Sequence, residues 1–428
     1  MLKRIHVQQL SLGMYLHELC GSWMEHPFWR TRFLLEDPQD LLRIREAGIQ
    51  EVLIDISKGL DLANAATAQA EGEVSEAPQA SPVQASPVQA SPVQAEPVQA
   101  EPVQAEPPSA ATPMAQELQR AASICANAKQ AVISMFSEAR MGRAVDASSA
   151  PGLVSEIADS VTRNPSALIS LARIKTADEY TFMHSVAVCA LMVGLARQMC
   201  LNDEATQQAG LAGLLHDLGK AHVPLAILNK PGKLSDAEFA LMRDHPGAGH
   251  ALLQGQGLPA PVLDACLHHH EKIDGTGYPH RLPAEQIGTL ARMAAICDVY
   301  DAITSDRPYK AGWDPAESLR RMAEWTRDHL DQRLYQAFVK SLGIYPVGSL
   351  VRLTSGRLGV VTEQSPGTLL TPRVKVFYST KSDMRIPPEL IDLSAPGCRE
   401  QIAGREDPAR WQFPDLNELW SGLPHQPW

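Results

Sequence analysis

Residues 211–225 read LAGLLHDLGKAHVPL, an apolar helical run that ends in the adjacent pair His216 and Asp217. Neighbouring residues on a helix point about 100° apart, so one side chain can bind a metal terminally while the other bridges to a second metal. A lone His-Asp pair is usually only a charged helix end. Here more histidines and aspartates follow along the same helix-rich stretch, and this favours a metal site.

Four further clusters carry metal-ligand side chains within this stretch. They are His184, His245, the run His268-His269-His270, and the pair Asp298 with Asp301. Helical bundles build metal sites from inward side chains on facing helices. Imidazole mixed with carboxylate suits iron, manganese or zinc better than magnesium or calcium, which prefer oxygen alone. The spacing therefore predicts a binuclear centre.

Local sequence signals place the histidines at helix ends. A capping box that opens at Ser235 starts a helix that we expect to end at His245, because Pro246 cannot continue it regularly. The histidine run ends a helix that begins near Pro261, and at most two of its three rings can face one centre.

The two aspartates lie on a different predicted helix. Asp298 and Asp301 are three residues apart, on one face of a helix expected from about Glu285 to Thr304. Their neighbours are apolar, and carboxylates in such a segment need a strong partner. A metal ion is one such partner.

Composition divides the chain into regions. Residues 81–105 repeat SPVQA three times and EPVQA twice, and a proline at every fifth position is incompatible with helix or sheet. The pattern is helical from about 115 to 345 and changes after 347 to three short strands, at 349–353, 358–362 and 373–378. We predict a mainly α protein with a small α+β domain at 1–65, a linker at 66–114, a helical domain at 115–345 and a β-rich appendage and tail at 346–428.

The composition also argues against several classes of protein. The 428 residues carry a formal net charge of −11, which provides no basic field for wrapping DNA or RNA. Seven cysteines without a CxxC pair are typical of buried thiols in a reducing compartment. The start, MLKRIHVQQL, lacks the apolar core of a signal peptide. We expect a cytoplasmic protein that is not inserted in a membrane.

Two loops next to the ligand clusters have the composition of recognition sites. Residues 274–279 read DGTGYP, in which Gly277 allows close backbone approach and Tyr278 follows it. An ordinary turn explains the glycines but does not call for the tyrosine. Residues 306–310 read DRPYK and present Arg307 and Lys310 just past the aspartate-bearing helix, as a phosphate site would.

The motifs HDLGK at 216–220 and HHEKIDGTGYP at 269–279 resemble the two signatures of the HD-GYP family, bacterial phosphodiesterases of cyclic di-GMP. The resemblance covers about 160–345, including KPGKLSDAEFALMRDHPGAG and ARMAAICDVYDAITSDRPYK. The first sixty residues, with LSLGMYL, are similar to a domain of unknown function found ahead of HD-GYP domains. The resemblance implies that the helical domain is an HD-type bundle.

The resemblance also implies roles for individual residues. The implied metal ligands are His184, His216, Asp217, His245, His269, His270 and Asp298, with Asp217 as the bridge. The implied catalytic residues are Asp217 and Lys220, and the implied substrate-binding residues are Lys220, Gly277, Tyr278, Asp301, Arg307 and Lys310. Some members hold a third metal with a glutamate where this chain has Tyr180, so we expect two divalent ions, with iron or manganese favoured.

The reaction implied is hydrolysis of cyclic di-GMP to pGpG, GMP or both, by water activated between two metals. Cyclic GMP-AMP is an alternative substrate, and nucleotidases of the wider HD superfamily are an alternative enzyme class. A different reading is a cyclic dinucleotide sensor, or a scaffold that docks diguanylate cyclases. A GGDEF-domain or other regulatory protein and a second copy of the chain are the protein partners left open.

Overall fold

The computed structural model describes residues 2–20, 33–35, 38–46, 51–60, 112–173, 180–230, 232–305, 312–365 and 368–423. The chain divides into two compact units, Met1–Glu106 and Pro107–Trp428. The repeat at 81–105 lies outside the described residues, as do Arg307 and Lys310. The predictions made for these segments therefore stay predictions.

Among its described residues, the first unit contains a small antiparallel sheet and one α-helix, as predicted. In chain order its elements are β1 (Leu2–His6), β2 (Tyr15–Cys20), β3 (Phe33–Leu34), α1 (Pro38–Glu46) and β4 (Glu51–Asp55). The strand order is β1-β4-β2-β3. Alternate strand residues, among them Ile5, Leu16 and Ile54, form a core with Ile44 of the helix.

The second unit begins with a long series of helices. They are α2 (Met114–Arg140), α3 (Ala150–Arg163), α4 (Pro165–Arg173), α5 (Tyr180–Gln198), α6 (Asp203–Leu215), α7 (Leu225–Leu228), α8 (Asp236–Arg243), α9 (His245–Leu253), α10 (Ala260–His268), α11 (Thr289–Thr304), α12 (Pro315–Trp325) and α13 (Gln332–Leu342). The mainly helical fold predicted for this region is confirmed.

Helix α5 lies at the centre of this unit. Every residue from Met183 to Ala196 is buried, so the helix is enclosed by the protein on all sides. The window Thr181–Gln198 is apolar enough to cross a membrane, yet 78% of it is buried inside the protein. Core helices of globular domains have this composition too, and the absence of a membrane segment stays a prediction.

Two glycines let α6 approach its neighbours closely. A Cβ on Gly213 would lie 2.8 Å from the Cα of Cys189 in α5, and one on Gly210 would lie 2.3 Å from Cγ1 of Val154 in α3. Only glycine fits at such distances. This close packing sets the separation between His184, inside α5, and His216, at the end of α6.

The helix starts follow the sequence signals with one exception. Ser235 accepts a hydrogen bond from the backbone N–H of Glu238, whose carboxylate accepts one in return, and this capping box opens α8. Asp314 caps α12 through its carboxylate. Helix α11 starts at Thr289 rather than at the predicted Glu285, because a separate 3₁₀ turn precedes it.

The helix that opens at Ser235 ends at Arg243, and the predicted last residue, His245, instead begins α9. Pro246 lies in the first turn of α9, where its missing N–H would have no intrahelical partner anyway. After Asp217 the chain continues as the 3₁₀ helix Leu218–His222.

The unit ends in a five-stranded antiparallel sheet. Its strands are β5 (Leu350–Leu353), β6 (Arg357–Glu363), β7 (Arg373–Ser379), β8 (Met384–Asp392) and β9 (Ile402–Arg405), in the order β8-β7-β6-β5-β9, and two short helices follow, α14 (Pro408–Trp411) and α15 (Leu416–Ser421). The sequence predicted β5 to β7 but missed the two outer strands. Strand β8 contains Pro387 and Pro388, which are tolerated because it lies at the edge of the sheet.

Candidate metal centre

The second unit brings all seven predicted metal ligands into one cluster. They are His184 in α5, His216 and Asp217 after α6, His245 at the start of α9, His269 and His270 after α10, and Asp298 in α11. All are buried except His270, which is partly exposed. Their ligand atoms form two groups that share Asp217, each with its atoms within 4.8 Å of one another: His184, His216 and Asp217, and Asp217, His245, His269 and His270.

The two oxygens of Asp217 face different histidines. Oδ2 lies 3.4 Å from Nε2 of His184 and 3.4 Å from Nε2 of His216. Oδ1 lies 3.2 Å from Nε2 of His245 and 3.9 Å from Nε2 of His269. A carboxylate placed in this way could bridge two ions, each held by its own group of imidazoles.

Asp298, in α11, is a second carboxylate that lies near both groups of ligands. Its Oδ1 is 3.0 Å from Nε2 of His184, and its Oδ2 is 3.8 Å from Nδ1 of His270. The relative exposure of Asp298 is 8%, so its charge needs compensation inside the protein.

Three of the histidine rings are held by the carbonyl three residues earlier. The Nδ1 of His216, His245 and His269 lies 2.9, 2.7 and 2.9 Å from the carbonyl oxygens of Gly213, Met242 and Cys266. Helix ends leave such carbonyls without an intrahelical donor. Because Nδ1 must donate to a carbonyl, the Nε2 lone pair is directed to the centre, as in histidines that bind metals.

Two buried atoms of the centre lack any hydrogen-bond partner among the described residues. They are Nε2 of His216 and Oδ1 of Asp217, and both residues have 0% relative exposure. A buried polar atom without a partner is costly, and buried polar groups are normally satisfied. The cluster therefore fits divalent metal ions, to which these two atoms can bind.

The charges of the cluster are consistent with this fit. Burial, followed by the neighbouring imidazoles, lowers the pKa of His270 to about 3, so this ring is neutral and able to bind a metal at pH 7. Burial opposes a charge on His184, but hydrogen bonds with Asp217, Asp298 and Asp301 outweigh it and raise its pKa to about 10. The carboxylates around this ring therefore attract positive charge.

The ring of His268, the first residue of the histidine run, points away from the centre, as predicted. Nδ1 of His268 lies 2.8 Å from Oδ1 of Asp264, and its Nε2 lies 2.9 Å from Nδ1 of His280. Both nitrogens of His268 are thus engaged outside the cluster, while His269 is directed into it.

This difference predicts opposite outcomes for two adjacent substitutions. His269→Gln should lower the bound metal per chain by about one ion, because it removes an Nε2 donor from the second group. His268→Gln should keep the full metal content. Metal analysis of both purified variants tests this, and equal metal loss from the two would contradict the assignment of the run.

The structure gives different surroundings to Lys220 and Asp301, which the resemblance grouped together as substrate-binding residues. Lys220 lies at the centre, with its Nζ 2.5 Å from Oδ2 of Asp217 and with 20% of its side chain exposed. Asp301 is 2% exposed, and its Oδ2 lies 2.6 Å from Nδ1 of His184. In this position Asp301 can orient the ring of a candidate ligand, and its predicted contact with the substrate stays a prediction.

The side chain of Tyr180 lies outside what the structure describes, so the two-metal count inferred from it stays a prediction.

The loop that carries Gly277 is fixed by a buried carboxylate that the sequence argument missed. Glu271 is 3% exposed, and it accepts hydrogen bonds from the backbone N–H groups of His280, Arg281 and Leu282 at 2.6, 3.0 and 3.1 Å. A Cβ on Gly277 would lie 2.5 Å from the Cα of Glu271, so only glycine fits there. The position of Glu271, directly after the two ligand histidines, was the available signal.

Glu271→Gln tests this role. An amide nitrogen cannot accept from an N–H, so the variant should lose at least one of the three hydrogen bonds and loosen the loop. We expect kcat/KM to fall by about 10-fold or more while the metal content is kept, a magnitude typical of supporting residues. Loss of metal equal to the loss of activity would show that Glu271 supports the ligands instead.

Tyr278 packs against the centre. Its ring centroid lies 4.7 Å from that of His270 with the planes tilted by 32°, and the guanidinium of Arg243 lies 4.7 Å from the Tyr278 centroid. The predicted contact of Tyr278 with the substrate is not tested by these contacts and stays a prediction.

The second unit places a buried His-Asp pair next to further histidines and aspartates from facing helices. This arrangement defines an HD-domain protein. The family model described as an HD domain matches residues 157–334, and a domain of unknown function, DUF3391, matches residues 2–150.

Three similar proteins indicate which kind of HD-domain protein this chain is. The chain is 55% identical to a cyclic di-GMP phosphodiesterase of Pseudomonas aeruginosa, over 99% of this chain and 96% of the relative. It is 39% identical to the cyclic di-GMP phosphodiesterase response regulator RpfG of Xanthomonas campestris, over 40% of this chain and 47% of the relative. It is 35% identical to the 3′3′-cGAMP-specific phosphodiesterase 1 of Vibrio cholerae, over 38% of each chain. The chain belongs to the HD-GYP family of cyclic di-GMP phosphodiesterases.

Proposed function

We propose that this protein hydrolyses cyclic di-GMP to pGpG, GMP or both at a centre of two divalent metal ions, with iron or manganese favoured. The observation that carries the proposal is the placement of Asp217, whose two oxygens face separate histidine groups. The relative from Pseudomonas aeruginosa, which matches this chain along almost its whole length, supports the choice of substrate.

The residues present divide into two ligand sets. One ion would be held by His184, His216 and Asp217, and the other by Asp217, His245, His269 and His270, with Asp298 next to both sets. Such ions lower the pKa of a shared water and withdraw charge from the phosphate oxygens. The mixture of imidazole and carboxylate supports iron or manganese over magnesium.

Lys220 is the residue that we assign to charge and proton handling. Attack of water on phosphorus breaks the bond to the 3′-oxygen, which leaves a 5′-phosphate and a 3′-hydroxyl, so one proton must reach the leaving oxygen. The ammonium of Lys220 lies beside Asp217 and remains partly exposed, so it can approach a bound phosphodiester. There it can neutralise phosphate charge or donate that proton.

Arg307 and Lys310 complete the proposal as an anchor for the second phosphate. Their spacing past α11 and the resemblance support this role. We also propose a cytoplasmic location, where a nucleotide second messenger is available, and seven cysteines without a CxxC pair support a reducing compartment.

The test is incubation of metal-loaded protein with cyclic di-GMP, followed by chromatography. We expect pGpG or GMP to appear with Mn²⁺ or anaerobic Fe²⁺. Protein that carries its full metal complement, binds cyclic di-GMP and releases no product would instead support the sensor function.

Cyclic GMP-AMP is the second candidate substrate. The similarity to the phosphodiesterase of Vibrio cholerae that is specific for 3′3′-cGAMP favours its inclusion, although that similarity covers 38% of this chain. A competition assay with equal concentrations of both dinucleotides measures the ratio of the two kcat/KM values directly.

A further inference from the structure

Arg243 is a partly buried cation near the metal centre without an acidic partner among the described residues. Its guanidinium lies 4.7 Å from the ring centroid of Tyr278 and 5.9 Å from that of Phe239. In the part of the chain that the structure describes, no ion pair and no hydrogen bond engages this side chain. Arginine in such a position is typically matched by an acceptor, which a ligand can supply.

The surroundings of Arg243 form a surface that we call the Arg243 platform, made of Arg243, Tyr278 and Phe239. Tyr278 contacts both the guanidinium of Arg243 and the ring of His270, whose centroid lies 4.7 Å from that of Tyr278. The Phe239 ring stands nearly perpendicular to that of Tyr278, at 83° and 6.5 Å. The platform therefore contacts a candidate metal ligand through the ring of Tyr278.

The chemistry of the platform suits a nucleobase better than a phosphate. A guanidinium that lies on a ring keeps its in-plane N–H donors free, and two of them form a fork. Guanine offers O6 and N7 as paired acceptors, whereas adenine places a donor at the corresponding exocyclic position. The aromatic rings supply flat apolar contact, which bases use and phosphates do not.

We propose that Arg243 recognises a guanine base of the substrate and makes the enzyme select guanine over adenine. This inference rests on the proposed function, because a guanine reaches the platform only if a cyclic dinucleotide occupies the metal centre. It identifies the residue that distinguishes cyclic di-GMP from other cyclic dinucleotides.

The experiment compares Arg243→Gln and Arg243→Lys with the wild type and with Arg197→Gln, a control at an exposed arginine near the end of α5. For each protein, kcat/KM is measured with cyclic di-GMP, cyclic GMP-AMP and cyclic di-AMP. Bis(p-nitrophenyl) phosphate, which has no base, reports on the metal centre alone. Equilibrium binding of cyclic di-GMP and cyclic di-AMP is measured in parallel.

We expect Arg243→Gln to lower kcat/KM for cyclic di-GMP by roughly 10- to 100-fold, the range of one bidentate guanine contact, and to change cyclic di-AMP turnover by less than about threefold. Arg243→Lys should not restore the guanine preference, because an ammonium lacks the fork. A loss of equal size for all three dinucleotides would overturn the inference and indicate a phosphate contact or a role in holding Tyr278.

The proposed function can fail separately. If the wild type cleaves bis(p-nitrophenyl) phosphate but no cyclic dinucleotide, the proposed function is wrong. The binding data then decide the inference: it is supported if Arg243→Gln removes a preference for cyclic di-GMP over cyclic di-AMP. It is overturned if the wild type shows no such preference.

Discussion

Asp217→Asn is expected to remove metal and activity together. The substitution keeps the shape of the side chain, but it replaces one of two oxygens that face separate histidine groups with a nitrogen that donates hydrogen bonds. One ion therefore loses its bridging ligand. We expect cyclic di-GMP hydrolysis to fall by more than about 100-fold, which exceeds the usual effect of removing a supporting residue.

Metal content by elemental analysis and initial rates at saturating Mn²⁺ measure this prediction. Asp203→Asn, at the start of α6 and outside the cluster, is the matched control and should keep both properties. Circular dichroism checks that each variant is folded. A folded Asp217→Asn protein with full metal content and wild-type activity would refute the bridging assignment.

Gly219→Ala is expected to have the second large effect. A Cβ at this position would lie 1.9 Å from the carbonyl oxygen of His245 and 2.4 Å from the backbone nitrogen of Gly249. Both contacts are with backbone, so the 3₁₀ helix that carries Lys220 must move away from α9. Overpacking of this kind costs about 1–3 kcal/mol of folding stability, and a 1 Å displacement of catalytic groups can cost about 100-fold in rate.

Gly247→Ala is the matched control, because it lies in α9 and a Cβ there would meet nothing within 4 Å. We expect it to be neutral or to stabilise the protein by up to about 1 kcal/mol, since alanine favours helix. Thermal unfolding and kcat are the measurements. Similar behaviour of the two variants would show that the contact between the 3₁₀ helix and α9 does not position the site.

Some helix starts could be predicted from local sequence. The capping box at Ser235 acts within a few residues, so its signal survives without knowledge of the rest of the fold. The clusters of histidine and aspartate were recognisable in the sequence, and the resemblance to the HD-GYP family selected the candidate ligands among them. His268 was set aside because at most two rings of the run can face one centre and the resemblance favours His269 and His270.

Other features depended on contacts between distant segments. The roles of Asp301 and Glu271 were not visible in the sequence, because each acts on a group that lies elsewhere in space: the ring of His184 and the backbone after Pro279. The edge strand β8 was missed because two prolines contradict strand propensity, and only the sheet order shows that its position tolerates them.

The sequence by itself determined which side chains are candidate metal ligands, because ligand chemistry is a property of residue type. Only the tertiary structure decided how these side chains are divided between two groups around Asp217. The division of Asp217 between two histidine groups arises from the close approach of α5 and α6 at Gly213 and of the 3₁₀ helix and α9 at Gly219. Those distances depend on backbones far apart in the chain, which no local pattern records.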